Sequence, residues 1–211
     1  MNLLSVRTVQ GRAVKRSLDV VLATLGLLAL SPVLLALALA VRLDSPGPAL
    51  FGQERIGLGG HPFRMWKFRT MVHGAELLGP GITVADDQRV TRIGRWLRMT
   101  KLDELPQLWN VLLGTMSLVG PRPELPCYVA LYSAEERAVL TLQPGITDPA
   151  TLAFLHEEKL LAQAADPRSH YEDVVMPAKI ALNLEYASRA TVLTDLAVLA
   201  RTVVAVLQDP A

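Results

Sequence analysis

The chain has 211 residues, a formal net charge of +1 and one cysteine, Cys127. That length suits a single ordinary domain. The balanced charge excludes a globally basic nucleic-acid binder, so an anion site has to be a local cluster, and one cysteine excludes both a disulfide framework and a cysteine-built zinc site. The four histidines, His61, His73, His156 and His170, show no HExxH or other metal-ligand spacing.

The first predicted element is the uncharged run Val20 to Val41, VVLATLGLLALSPVLLALALAV. Basic residues Arg7, Arg12, Lys15 and Arg16 precede it, as in a signal peptide. The apolar run is too long for a typical signal core and ends in no clear cleavage site. A soluble core helix would not be apolar all round for this length. As one straight helix it is about 33 Å long, matching the hydrocarbon core. Ser31-Pro32 sits at its centre. Proline lacks an N–H and crowds the carbonyl four residues back, so a bend is predicted there. Ser31 can satisfy the backbone group that Pro32 frees. Positive charge flanks both ends, Arg12, Lys15 and Arg16 before and Arg42 after, which favours a segment that enters and returns on one face. A proline-kinked single span is the other reading of the same residues.

Beyond the Ser45-Pro46-Gly47-Pro48 turn, Ala49–Ile56 and Phe63–Met71 are predicted strands around GLGGHP. No Gly-Lys-Ser/Thr follows the glycines, so this is a hairpin turn and not a phosphate loop. His73 to Asp87 reads as a loop with a Pro80-Gly81 turn. Asp86-Asp87 is either a metal-binding acidic pair or a solvated loop. Arg89, Arg92, Arg95, Arg98 and Lys101 then recur at helical spacing with no acid among them, a basic ridge fit for anionic headgroups or a phosphorylated substrate. Leu105, Leu108 and Leu112 mark a helix whose first turn holds Pro106. Asp103 and Glu104 therefore fall at its N-terminus, where the macrodipole favours an ionised carboxylate. They are either plain capping residues or a nucleophile or metal ligand. Gly120-Pro121-Arg122-Pro123 is a rigid turn presenting one arginine. Ser133-Ala134-Glu135-Glu136 matches a capping box. The stretch from Thr151 to Tyr186 is largely helical with a break at Asp166-Pro167. The last helix, Val192 to Leu207, carries an apolar face (Val192, Leu196, Leu199, Val203, Leu207) opposite Asp195, Arg201, Thr202 and Gln208. It either lies on a bilayer surface or packs on the domain.

KFRTM at Lys67–Met71, LDELPQLWNVLLG at Leu102–Gly114, MSLVGPRP at Met116–Pro123 and QPGIT at Gln143–Thr147 occur in that order. In combination they resemble the bacterial sugar transferases, the monotopic phosphoglycosyl transferases, from about Lys15 to the C-terminus. The length resembles members made of the catalytic domain only. The resemblance implies an α+β, mostly helical monotopic membrane protein. It would have a re-entrant N-terminal helix broken at Ser31-Pro32, a small β-hairpin and surface amphipathic helices. Residues 1–19 would be a cytoplasmic segment, 20–41 the re-entrant helix and 42–211 the cytoplasmic catalytic domain with an interfacial C-terminal helix. The implied location is the cytoplasmic face of the inner membrane, among bilayer lipids.

The implied reaction moves a sugar 1-phosphate from a UDP-sugar to a polyprenyl phosphate such as undecaprenyl phosphate. It releases UMP, needs Mg2+ and initiates membrane-bound glycan assembly. Asp103 would be the nucleophile, forming a phosphoaspartate, and Asp103 and Glu104 the metal-binding pair, Glu104 alternatively handling the acceptor proton. Arg98 would hold the acceptor phosphate and Arg122 the nucleotide-sugar phosphates, with Lys67 and Arg69 nearby. After QPGIT, where many relatives have Gly-x-x-Gln, this chain has Asp148-Pro149-Ala150-Thr151, a departure that bears on sugar choice and not on Asp103. Two rivals remain. A metal-dependent glycosyltransferase would form a glycosidic bond directly and release UDP, and would show a nucleotide-binding domain with DxD. A non-catalytic membrane adaptor would use Asp103 and Glu104 only as caps. No nucleic-acid partner is expected; the sugar and the oligomeric state are left open.

Overall fold

A computed structural model describes residues 9–75 and 87–208. Helix α1 (Val9–Asp44) runs through the apolar segment. Strands β1 (Leu50–Ile56) and β2 (Pro62–Phe68) pair antiparallel from Leu50↔Phe68 to Ile56↔Pro62. They form the expected hairpin around the glycine turn. Pro80-Gly81 and Asp86 lie outside the described residues. Asp87 is committed to Arg89, Nη2 to Oδ2 at 2.6 Å, which favours the loop reading over a metal site there.

Helix α1 is continuous, Pro32 included, so the expected break is not an interruption of the helix. Only one backbone hydrogen bond is forfeited at a proline, and the orphaned Leu28 carbonyl accepts instead from Ser31 Oγ at 2.8 Å. Both flanks of α1 are tied to the same body. On the N-terminal side, Asp19 accepts from Ser117 Oγ (2.7 Å) and Leu118 N (3.2 Å), and Ala23 is buried with Val111 and Met116. On the C-terminal side, Leu37 and Val41 pack with Phe68 and Leu97, and Asp44 accepts from Ile93 N at 3.0 Å. Leu25, Leu28, Val33 and Leu35 between them are exposed. This is the one helix among the described residues long and apolar enough to cross a membrane.

Helix α2 (Arg92–Met99) is capped by the Thr91 side chain and followed by a 3-10 turn, Leu102–Glu104, and helix α3 (Gln107–Leu113). Arg16 donates to the Val111 and Leu112 carbonyls at the end of α3, at 2.6 and 2.9 Å. Two strands not expected from the sequence follow, β3 (Ser117–Val119) and β4 (Gly145–Thr147). They pair parallel, Ser117↔Gly145 and Val119↔Thr147, and so bring the GPRP and QPGIT motifs side by side. The crossing is close: a Cβ on Gly145 would stand 2.1 Å from Gly120 N, and one on Gly120 2.2 Å from Gln143 O. Both positions therefore require glycine.

Between these strands lie α4 (Pro126–Val129) and the capping box. Ser133 N donates to Glu136 Oε2 at 2.8 Å and Glu136 N to Ser133 Oγ at 3.2 Å, starting a 3-10 helix, Glu136–Thr141. Helices α5 (Pro149–Ala153), α6 (Glu157–Ala162), α7 (Pro167–His170) and α8 (Met176–Arg189) follow, with the predicted break where Asp166 caps α7. Tyr128, Tyr132, Leu161, Tyr171 and Ile180 form the core of this region.

The last helix, α9 (Val192–Gln208), packs on the domain, with Leu199 of the expected apolar face against the core but Leu196, Val203 and Leu207 turned away. Asp195 and Val198 are buried, Asp195 bonding Lys15 (2.9 Å) and Tyr186 Oη (2.7 Å), while Thr202 Oγ1 meets Thr147 Oγ1 at 2.7 Å. Leu193, Leu196, Val203 and Leu207 point outward, Leu207 at 76% exposure. Val198 and Leu199 still pack on the core beside these polar contacts, so α9 is only rotated, with Leu193, Leu196, Val203 and Leu207 left on its outer side.

Candidate active site

The hairpin, the 3-10 turn and the GPRP turn converge on one cleft of about 630 Å3. Helix α3 sets the first two in register. Asn110, 1% exposed, accepts from Trp66 N at 2.9 Å and donates to Arg64 O at 2.8 Å, acting as an extra rung on the free edge of β2. Lys67 is thereby aimed at the 3-10 turn, where its Nζ donates to Glu104 Oε1 at 2.9 Å. The third component is held by Asp148, 1% exposed, whose Oδ2 accepts from Arg122 N at 2.7 Å while Oδ1 caps α5 through Thr151 N at 2.5 Å. So positioned, the Arg122 guanidinium clasps Glu104 with both terminal nitrogens, Nη1 reaching Oε2 at 3.0 Å and Nη2 reaching Oε1. Neither Asn110 nor Asp148 was singled out from the sequence as a site residue.

Glu104 and Asp103 are adjacent yet differ in environment. Burial alone would raise Glu104, but Arg122 and Lys67 override it and hold the carboxyl well below its ordinary range. Asp103 is 7% exposed and, among the described residues, takes no hydrogen bond and no ion pair within 4 Å. Burial, with the Glu104 charge second, pushes it up to about 6. The sequence expectation of a helix terminus favouring the charged form fails for Asp103. The pair sits in the 3-10 turn ahead of α3, a helix of only 7 residues, and burial outweighs the dipole.

The basic ridge divides. Arg92 and Arg95 are exposed, whereas Arg98 and Lys101 line the cleft with Asp103. Arg98 Nε donates to Thr70 Oγ1 at 2.9 Å, which fixes the side chain along the cleft wall. Arg69 also lines the cleft, as expected, but its guanidinium is not turned to a substrate. Its guanidinium is occupied by the carbonyls of Ser45 (2.8 Å), Pro46 (2.5 Å) and Pro48 (2.8 Å), so it fastens the end of α1 to the hairpin. Ser31 and Pro32 lie in α1, away from the cleft.

The arrangement offers one buried carboxylate without a partner, facing an excess of fixed cations. Such a site suits attack by Asp103 on a phosphate whose charge the arginines and lysines neutralise. The family model for bacterial sugar transferases matches residues 10–209. The chain belongs to the bacterial sugar transferase family. A UDP-glucose:undecaprenyl-phosphate glucose-1-phosphate transferase of Caulobacter vibrioides is 46% identical over 195 residues, covering 90% of this chain and 68% of that protein. An enzyme of the same name from Escherichia coli is 47% identical over 139 residues, 64% of this chain and 30% of its own. The UDP-N-acetylgalactosamine-undecaprenyl-phosphate N-acetylgalactosaminephosphotransferase of Aeromonas hydrophila is 43% identical over 122 residues, 58% of this chain and 29% of its own. These family members share a phosphorylated lipid acceptor in their names and differ in the sugar.

Proposed function

We propose that this protein is a phosphoglycosyl transferase that moves a sugar 1-phosphate from a UDP-sugar to undecaprenyl phosphate and releases UMP. The observation that carries the reading is Asp103, buried without a partner beside Lys67, Arg98, Lys101 and Arg122. A carboxylate oxygen of Asp103 attacks the phosphorus that bears the sugar. The bond to the UMP oxygen breaks, and UMP leaves with the electron pair. An oxygen of the lipid phosphate then attacks the same phosphorus and returns the Asp103 carboxylate. Arg122 and Lys67, held by Glu104, bind the donor phosphates; Arg98, with Lys101, binds the acceptor phosphate.

Magnesium is part of the same proposal. Among the described residues no group of three or more His, Cys, Asp or Glu converges. Mg2+ characteristically takes one or two carboxylates and completes its shell with water and substrate phosphates. Asp103 would hold it, since Glu104 is committed to Arg122 and Lys67. When bound, the ion would neutralise charge on the phosphate oxygens.

The finer membrane placement belongs to the same proposal: α1 enters and leaves the bilayer on the cytoplasmic face, and α9 lies at the interface. Leu105 packs with the cluster that holds Leu37 and Val41, and Leu108 with the one that holds Ala23. A straight helix would separate Ala23 from Leu37 by about 21 Å, whereas Leu108 N bonds Leu105 O within one turn. A bend at Pro32 reconciles the two. The re-entrant form keeps the cleft at headgroup depth, where the lipid phosphate lies.

The test is the nucleotide product from a panel of UDP-sugars with undecaprenyl phosphate and Mg2+. UMP, lost in Asp103→Asn, is expected. UDP would point to direct glycosyl transfer. No nucleotide product, with Asp103→Asn indistinguishable from wild type, would point to an adaptor.

A further inference from the structure

The cleft continues past Arg122 to charged groups for which the proposed phosphoryl transfer has no use. Glu124 lies between Arg55 and Tyr171: the Tyr171 hydroxyl donates to its Oε1 at 2.5 Å, and Arg55 Nη1 stands 3.7 Å from its Oε2. Beside them Lys179 Nζ donates to Glu157 Oε2 at 2.7 Å and sits 5.6 Å from the centre of the Tyr171 ring. All five line the cavity that also holds Asp103 and Glu104.

The two ends of this cavity differ in charge. Around Asp103 and Glu104, the cations Lys67, Arg98, Lys101 and Arg122 are in excess, as phosphates require. At the far end Arg55 is matched by Glu124 and Lys179 by Glu157, so no net charge remains to attract an anion. What remains is a dense set of hydrogen-bond donors and acceptors, the chemistry that recognises an uncharged polyol. A nucleobase is less well served. Tyr128 and Tyr171 pack edge to face at 4.9 Å and 61°, both buried, and Lys179 covers Tyr171, so neither ring offers an open face for stacking. Buried ion pairs add little to stability against an apolar replacement, which makes two of them along a ligand cavity a recognition feature.

We infer that Arg55, Glu124, Tyr171, Glu157 and Lys179 form the subsite for the sugar of the nucleotide-sugar donor and set which hexose is accepted. This rests on the transferase reading for the donor's identity.

The experiment measures calorimetric affinities of the full chain in lipid nanodiscs for UDP, UDP-glucose and UDP-N-acetylgalactosamine. The charge-neutral double variant Glu157→Gln/Lys179→Met is compared with wild type. Expected is a UDP affinity unchanged within about twofold and a ratio between the two sugar nucleotides altered about tenfold, the effect of losing a charged hydrogen bond. Tyr171→Phe, which keeps the ring, should alter the same ratio by a smaller factor and carries the test if the double variant does not melt cooperatively. A ratio left unchanged, or UDP affinity falling in step with both sugars, would overturn the subsite. Wild type that binds these nucleotides yet releases UMP from no member of the UDP-sugar panel would sink the transferase reading instead, while the affinity ratio would still report on the subsite.

Discussion

Asp103 is placed where a carboxylate is least comfortable, and that discomfort is measurable. With its carboxyl raised to about 6, it is neutral below that pH and ionised above it. Attack requires the ionised form, so kcat/KM for UMP release should fall as pH drops below about 6, the value for the metal-free carboxyl, and rising Mg2+ should move that fall to lower pH. The linkage to stability has the opposite sense. A carboxyl raised in the fold favours folding only while protonated: its contribution is fully present below the unfolded value near pH ~3.9 and is lost as pH rises through the folded value. Asp103→Asn should therefore be more stable than metal-free wild type at pH 8, on the order of 3 kcal/mol, with the gap closing below about pH 4 in denaturant titrations. The same variant should lose about a thousandfold or more in UMP release. Motif order made Asp103, Glu104 and Arg122 legible in the sequence. Asn110 and Asp148 were not, because their partners are backbone groups 44 and 26 residues away, and no local pattern marks such a contact. Asp148→Ala should release the Arg122 backbone and lower kcat about tenfold, with partial rescue by Asp148→Asn, whose side-chain oxygen still accepts.

The elements divide by the clarity of their periodicity. The hairpin and the helices near Asp166 and Val192 announce themselves through alternation, caps and turns. Strands β3 and β4 are three residues each and buried, so they show neither alternation nor length. Their pairing rests on glycine instead. Gly145→Ala should clash with the Gly120 backbone, not with a movable side chain, and lower the melting temperature or abolish folded yield. Helix α9 shows the limit of reading amphipathicity alone. Lys15 and Thr147, distant in sequence, supply partners that turn Asp195 and Thr202 inward. Arg69 teaches the same lesson, since a basic residue in a site motif is used up by the carbonyls of a neighbouring turn.

At the scale of the molecule, the proposed transferase needs its lipid phosphate and its nucleotide sugar on the same side of the bilayer. The two anchored flanks of α1 and its exposed middle fit that requirement. With Cys127 replaced by serine, single cysteines introduced by Ser17→Cys and Glu54→Cys should both resist an impermeant maleimide applied from outside and both react in inside-out vesicles. Labelling of one from each side would show a span. The covalent step at Asp103 can be weighed, as intact-protein mass after incubation with the preferred UDP-sugar and Mg2+ but no lipid acceptor. A phosphoaspartate adds the mass of one sugar phosphate, removed by adding undecaprenyl phosphate and absent in Asp103→Asn. An active enzyme that never gains this mass, or that gains it undiminished in Asp103→Asn, would contradict the covalent step.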